Sequence, residues 1–172
     1  MASVRALLPP TDKGYLPVFL FVSAVAAAYS TIGSYTSLSA TRRIYNGLFV
    51  PRVSSSTSTT PDDSVSQLVP VAGDDRQAAK AKDQVNPLAG RLFGVYTFVA
   101  GLLRIYGAYH VENPVAYQLA LWGYVVAAVH FTSELLVYKT IRFNGPQGIP
   151  FVFASSGVLW MLLQYDYYTS SY

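Results

Sequence analysis

Long stretches of this chain carry no charged side chain, and that pattern limits its folds more than any motif does. Gly14 to Thr41 is uncharged over 28 positions, Asn113 to Ser133 over 21 and Phe143 to Tyr165 over 23. A further stretch, running on from Arg91, is interrupted only by Arg104 before Glu112. About 20 mainly apolar residues are enough to cross the roughly 30 Å hydrocarbon core of a bilayer. A chain in that core must satisfy its backbone polar groups within the segment, which makes each such run a helix. The pattern predicts an all-α membrane protein, a compact bundle of four transmembrane helices over residues 16–38, 91–110, 115–138 and 144–165. Residues 1–172 would form this one domain.

Composition narrows the chemistry. Charged residues make up 12% of the chain, about half the share in an ordinary soluble domain. A net charge of +3 is too small for a nucleic-acid footprint on so apolar a protein. With no Cys there is no disulfide framework, iron–sulfur cluster, thiolate zinc site or thiol nucleophile. With His110 and His130 as the two histidines, no site needing three imidazoles can form. No Gly-rich dinucleotide or phosphate loop is present, so no cofactor is expected. Arg5 and Lys13 before the first apolar run imitate a signal peptide, with Ala26, Ala27 and Ala28 as a cleavage site. However, the run continues through Ile32, Tyr35 and Leu38, longer than a signal core, and an uncleaved anchor is expected.

Residues 46–87 read differently. A hydroxyl-rich run, Ser54 to Thr60, is followed by Asp62-Asp63 and Asp74-Asp75, a composition that buries too little apolar surface to order itself. A flexible polar loop is expected, with a short helical turn near Asp75–Gln84. Its Ser/Thr run is a candidate for phosphorylation, although a tolerated insertion is the simpler reading because loop length costs little. Nine of the 12 Lys and Arg fall in this loop, its flanks, or the 139–143 loop. The positive-inside bias then places loops 39–90 and 139–143 in the cytosol and both termini in the lumen. Tyrosines cluster near the expected span ends, among them Tyr15, Tyr109, Tyr138 and Tyr165, as headgroup-level rings do.

The polar residues inside the spans follow stripes. Gly90, Gly94, Thr97, Gly101, Arg104 and Ala108 share one helical face, and Gly90 and Gly94 have the small-xxx-small spacing that lets helices approach closely. In the next span Ala116, Ala120, Gly123, Ala127, His130 and Glu134 do the same, and the first span offers Ser23, Ala27, Ser30 and Ser34. Gly90, Gly94, Thr97, Gly101, Arg104, Gly123, Ala127, His130 and Glu134 are thus expected to be helix-packing or partner-binding residues. The tight Glu112-Asn113-Pro114 turn joins two spans into a hairpin, in which residues lie at equal depth when their numbers add to about 225. That rule sets His130 beside Val95 and Tyr96. It also predicts an Arg91–Glu134 ion pair, with Arg104 snorkelling toward Glu112 or bonding carbonyls. Charges inside a span are functional candidates by default, so the competing reading makes Arg104, His130 and Glu134 an active site or proton path. No nucleophile or second carboxylate accompanies them, which favours the structural reading.

The run Arg91-Leu-Phe93-Gly94-Val-Tyr-Thr97, then Arg104, Leu121-Trp122 and His130-Phe131-x-Ser133-Glu134-Leu135-x-Val137-Tyr138, resembles the ergosterol biosynthetic protein 28 family. Arg42-Arg43-x-Tyr45-Asn46-Gly47 after the first span is similar to the family's opening segment. The Ser/Thr-rich loop departs from the family's shortest members and looks like an insertion. The resemblance implies a non-enzymatic scaffold in the endoplasmic-reticulum membrane. It would tether the three enzymes of sterol C-4 demethylation, a methyl oxidase, a decarboxylating dehydrogenase and a keto-reductase, and would associate with itself as a homodimer. With two His and no dinucleotide loop, the chain can be none of those enzymes. The alternative is a membrane-embedded sterol-modifying enzyme, or a sterol or lipid carrier, using Arg104, His130 and Glu134.

Overall fold

The computed structural model describes residues 8–12, 14–51, 68–71, 81–143 and 148–170. Three long helices dominate it: α1 (Leu16–Thr36), α3 (Pro87–Tyr109) and α4 (Pro114–Leu136). Short elements fill the connections: α2 (Leu38–Ile44), and β1 (Phe49–Pro51) paired with β2 (Leu68–Pro70). The chain closes with α5 (Gly148–Leu163) and α6 (Tyr165–Thr169). The starts of α3 and α4 are written locally. Asn86 and Asn113 cap them by accepting from the N–H groups of Ala89 and of Val115 and Ala116, and a proline follows each cap. Proline is suited to that first turn because its missing N–H would have no intrahelical partner.

Among the described residues, α1, α3 and α4 are the helices long and apolar enough to cross a membrane. Of the expected fourth span, 144–165, residues 148–163 form the apolar helix α5, whose 16 residues fall short of a full crossing. Residues 144–147 lie outside the described residues. The expected loop over 46–87 also needs correcting where it is described. Its two arms pair as an antiparallel sheet with Phe49 opposite Pro70 and Pro51 opposite Leu68. Lys82 bridges to Phe49 through two backbone hydrogen bonds of 2.9 Å, so the chain is extended at that residue; most of the helical turn expected near Asp75–Gln84 lies outside the described residues. Leu48, Phe49 and Val50 supply the apolar, β-favouring run that the Ser/Thr-rich composition farther on concealed. The Ser54 to Thr60 run lies outside the described residues.

The most extensive helix contact is α1 on α3, followed by α4 on α5 and α3 on α4. Small residues make it possible. A methyl on Gly101 would lie 3.3 Å from the Ala27 Cβ, and one on Gly94 would lie 2.8 Å from the Tyr35 ring. Thr31 adds a hydroxyl bond of 3.3 Å to the Gly94 carbonyl. Between α3 and α4, Gly107 meets Ala120; between α4 and α5, Gly157 meets the face of Tyr124. Buried apolar residues form two clusters. One gathers Leu16, Leu20, Ala108, Tyr117, Tyr124 and Met161, and the other Ala127, Phe131, Ile141 and Ala154. Polar atoms in the first are tied across helices: Tyr117 donates to the Met161 carbonyl at 2.7 Å, and the Ser23 and Tyr124 hydroxyls bond each other.

Gly107 and Gly123 separate close packing from ordinary contact. A Cβ on Gly107 would sit 2.7 Å from the rigid Ala120 methyl, whereas one on Gly123 would meet Leu103 Cδ1 at 3.5 Å. Gly107→Ala is expected to lower stability in detergent by about 1–3 kcal/mol, the usual effect of overpacking. Gly123→Ala is expected to leave it unchanged, and thermal unfolding of both variants checks the contrast.

Candidate functional site

The connection after α1 and the turn after α4 meet at one end of the bundle, and three consecutive residues make the joint. Tyr45 reaches His130, with its hydroxyl 2.6 Å from Nε2. Asn46 accepts the Arg142 N–H at 2.7 Å and donates to the Arg142 carbonyl at 3.3 Å. Gly47 donates its N–H to the Thr140 carbonyl at 2.7 Å, and any Cβ there would collide with the Lys139 carbonyl oxygen. Lys139 itself turns with a left-handed φ of 59°. The residue pattern that resembled a family opening thus has a mechanical role: one ring, one amide clamp and one missing side chain. Arg42 pairs with Asp83 at 3.1 Å on the same end of the bundle.

Glu134 completes this polar group. Its carboxylate accepts the Thr140 hydroxyl and stands 3.9 Å from His130 Nδ1, while its backbone carbonyl accepts the N–H of Thr140 at 3.0 Å. His130 is therefore held from both sides, by Tyr45 and by Glu134. Burial first, then the nearby Glu134 carboxylate, push the Tyr45 phenol well above its ordinary pKa, so it remains a neutral hydrogen-bonding group. Tyr96 and Phe93 surround the pair; the Tyr96 and His130 rings are 5.9 Å apart and Phe93 meets Tyr45 edge-on at 5.3 Å. The depth rule had set His130 level with Tyr96, and the two rings are neighbours.

Beside this group lies a cavity of about 440 Å³. Its walls come from α2 and the joint (Thr41, Tyr45, Gly47), from α3 and its lead-in (Val85, Ala89, Leu92, Phe93, Tyr96), and from α4 (Val126, His130, Glu134). Among the described residues no group of three or more His, Cys, Asp or Glu gathers as a metal site.

Other expected site residues fall elsewhere. Gly90, Gly94 and Gly101 face α1, with Ser34, Tyr35 and Ala27 opposite them. Gly123 faces Leu103, Ala127 is buried with Phe131 and Ala154, and Thr97 is half-buried on α3. Arg104 is inside the bundle, its guanidinium carbon 4.4 Å above the Tyr124 ring centroid and its Nε buried without a hydrogen-bond partner. It stands apart from His130 and Glu134, which belong to the cavity. The Arg91–Glu134 ion pair is not formed: Arg91 is exposed, and Glu134 is occupied by Thr140 and His130. Arg91 is one residue on from Gly90, about 100° around the helix from the face that packs. Tyr45, Asn46, Gly47, Thr41, Tyr96 and Thr140 were not expected as site residues. The Tyr-Asn-Gly triplet was the available signal for three of them.

The joint yields a graded prediction. Tyr45→Phe removes one hydrogen bond and is expected to cost about 1 kcal/mol. Gly47→Ala is expected to cost more, because the atoms it meets are backbone that cannot rotate away. Chemical denaturation of the two variants in detergent gives the order, and an equal or reversed order contradicts the joint.

Comparison with known proteins places this geometry. A family model described as Erg28 like protein matches residues 16–159. The chain is 40% identical over 171 residues to ergosterol biosynthetic protein 28 of Gibberella zeae, covering 98% of each protein. It is 28% identical over 170 residues to the Saccharomyces cerevisiae protein of the same name, covering 98% of this chain and 93% of that one. Against the human ergosterol biosynthetic protein 28 homolog it is 35% identical over 83 residues, 48% of this chain and 59% of that one. No solved structure matches. The match over most of the chain, together with a relative similar from end to end, shows that the chain belongs to the Erg28-like family.

Proposed function

We propose that the protein is a non-enzymatic membrane scaffold of ergosterol biosynthesis. In this reading it sits in the endoplasmic-reticulum membrane and holds the methyl oxidase, the decarboxylating dehydrogenase and the keto-reductase of sterol C-4 demethylation close together. The end-to-end likeness to proteins named for ergosterol biosynthesis is the observation that carries the reading. The packing supports it. The small-residue stripe of α3 is taken up by α1, so the surface left for other proteins is the apolar outer face. Phe98 and Leu102 on α3 and Trp122 and Val129 on α4 are exposed there. Bringing enzymes together raises the effective concentration of each to the millimolar range with no new chemistry, provided the geometry allows.

The same proposal gives α5, extended by its flanking residues, a fourth crossing. It places loops 39–90 and 139–143 in the cytosol, following the basic residues near them. Arg42, Lys82 and Arg142 lie on one end of the bundle, where those loops meet, which supports a shared side. Self-association as a homodimer would use the same outer faces.

Co-purification in mild detergent tests the scaffold. The tagged full chain is expected to bring down all three enzymes together. Phe98→Ala with Trp122→Ala is expected to reduce their capture severalfold while leaving thermal stability within about 0.5 kcal/mol, as surface substitutions do. Turnover of a sterol intermediate by the purified chain alone, or capture of none of the enzymes, overturns the reading.

A further inference from the structure

The cavity beside the Tyr45–His130 pair has a lining of two unlike kinds. Leu92 and Val126, 61% and 51% exposed, stand at its rim on the outer apolar surface of α3 and α4. If that surface faces hydrocarbon, an occupant enters from the bilayer and must be lipid-soluble. The lining also includes polar side chains, those of Thr41, Tyr45, Tyr96, His130, Glu134 and Thr140. Among the described residues, the two buried hydroxyls with no hydrogen-bond partner are those of Thr41 and Tyr96, and both residues belong to this cavity's wall. Buried hydroxyls in the rest of the bundle are engaged: Ser23 with Tyr124, Tyr117 with the Met161 carbonyl, and Ser34 with the Ser30 carbonyl.

A buried hydroxyl left without a partner costs about 1–3 kcal/mol, and native proteins seldom leave one so. Two such groups on the wall of one cavity mark where a partner belongs. Each can donate and accept, which matches a hydroxyl or a carbonyl. The Glu134 carboxylate on the same wall disfavours an anion, and it is already occupied by Thr140. The volume of about 440 Å³ lies within the range of about 300–1,000 Å³ typical of small-ligand pockets, and apolar walls with few polar groups are typical of them too.

We propose that this cavity binds a lipid-soluble molecule with one uncharged hydroxyl or ketone, of the sterol class, whose polar group takes the Thr41 and Tyr96 hydroxyls as its partners. Water does not reach either oxygen, so seating that group entails a side-chain adjustment at the cavity wall. Binding here is separate from tethering: it uses the cavity between α2, α3 and α4, whereas capture of enzymes uses the outer faces of the helices.

The test uses the full chain in phosphatidylcholine nanodiscs and a sterol carrying a photoreactive diazirine on its ring system. Labelling is expected to saturate and to map to the first turns of α3 and the last turns of α4. Ergosterol and a 3-keto sterol are expected to compete, with the hydrocarbon cholestane at least about tenfold weaker, the value of about one good hydrogen bond. Thr41→Val with Tyr96→Phe is expected to weaken labelling about tenfold while melting at or above the parent's temperature, since neither hydroxyl has a partner to lose. A purely structural role would not produce that combination. Ala89→Phe, which places a ring in the cavity, is expected to abolish labelling and provides a second reading should the double variant fold poorly. Labelling that does not saturate, that survives the variants, or that cholestane or added phosphatidylethanolamine competes as well as ergosterol, overturns the proposal. Labelling is read without the three enzymes, so its failure leaves the scaffold reading standing, and failed enzyme capture leaves this one standing.

Discussion

Helices in hydrocarbon gain little by hiding apolar side chains from a solvent that is itself apolar, so close backbone approach must hold them together. The α1–α3 contact meets that requirement. Gly94 and Gly101 let α3 lie against Tyr35 and Ala27, and Thr31 closes a hydroxyl bond across the gap. Much else depends on this seating. With its small-residue face turned to α1, α3 presents Phe93 and Tyr96 toward Tyr45 and His130, and Gly107 toward Ala120 of α4. Loosening α1 from α3 would therefore disturb the cavity even though α1 contributes nothing to its walls.

Polar groups reinforce this packing where the chain leaves regular helix. Asn46 and Gly47 bind the backbone beyond α4, Glu134 draws Thr140 back toward its own helix, and Lys139 accepts a left-handed conformation to make the turn. That conformation costs an L-residue roughly 1–2 kcal/mol, and the surrounding bonds offset it. The end of the bundle is thus specified by hydrogen bonds, while its middle is specified by shape.

The sequence reveals the helices more readily than their neighbours. Charge-free runs locate α1 and α4, and a run broken by Arg104 locates α3, because the bilayer demands both length and apolarity; Asn-Pro pairs mark the starts of α3 and α4. Depth along the hairpin is also legible, as the Tyr96–His130 contact shows. Azimuth is not. Depth matching alone paired Arg91 with Glu134, although Arg91 leaves the packed face. The partners of Glu134 and His130 lie in irregular chain, at Thr140 and Tyr45, where no periodicity applies. The short sheet was hidden for a similar reason: strands of three residues are too brief to impose a pattern on a region dominated by Ser and Thr. The cavity's unpartnered hydroxyls belong to residues that a sequence reader would pass over, a threonine in a short helix and one tyrosine among 14.

The pairing of Pro51 with Leu68 fixes the entrance and the exit of the segment between them side by side. Closing a longer segment between anchored ends costs little more than closing a short one, about 0.6 kcal/mol for each doubling of length. Natural lineages can therefore lengthen or shorten residues 52–67 with little effect on the helices. The strands act as a clasp that insulates the bundle from changes in the length of that segment, and the same clasp makes the segment a natural place to graft a reporter.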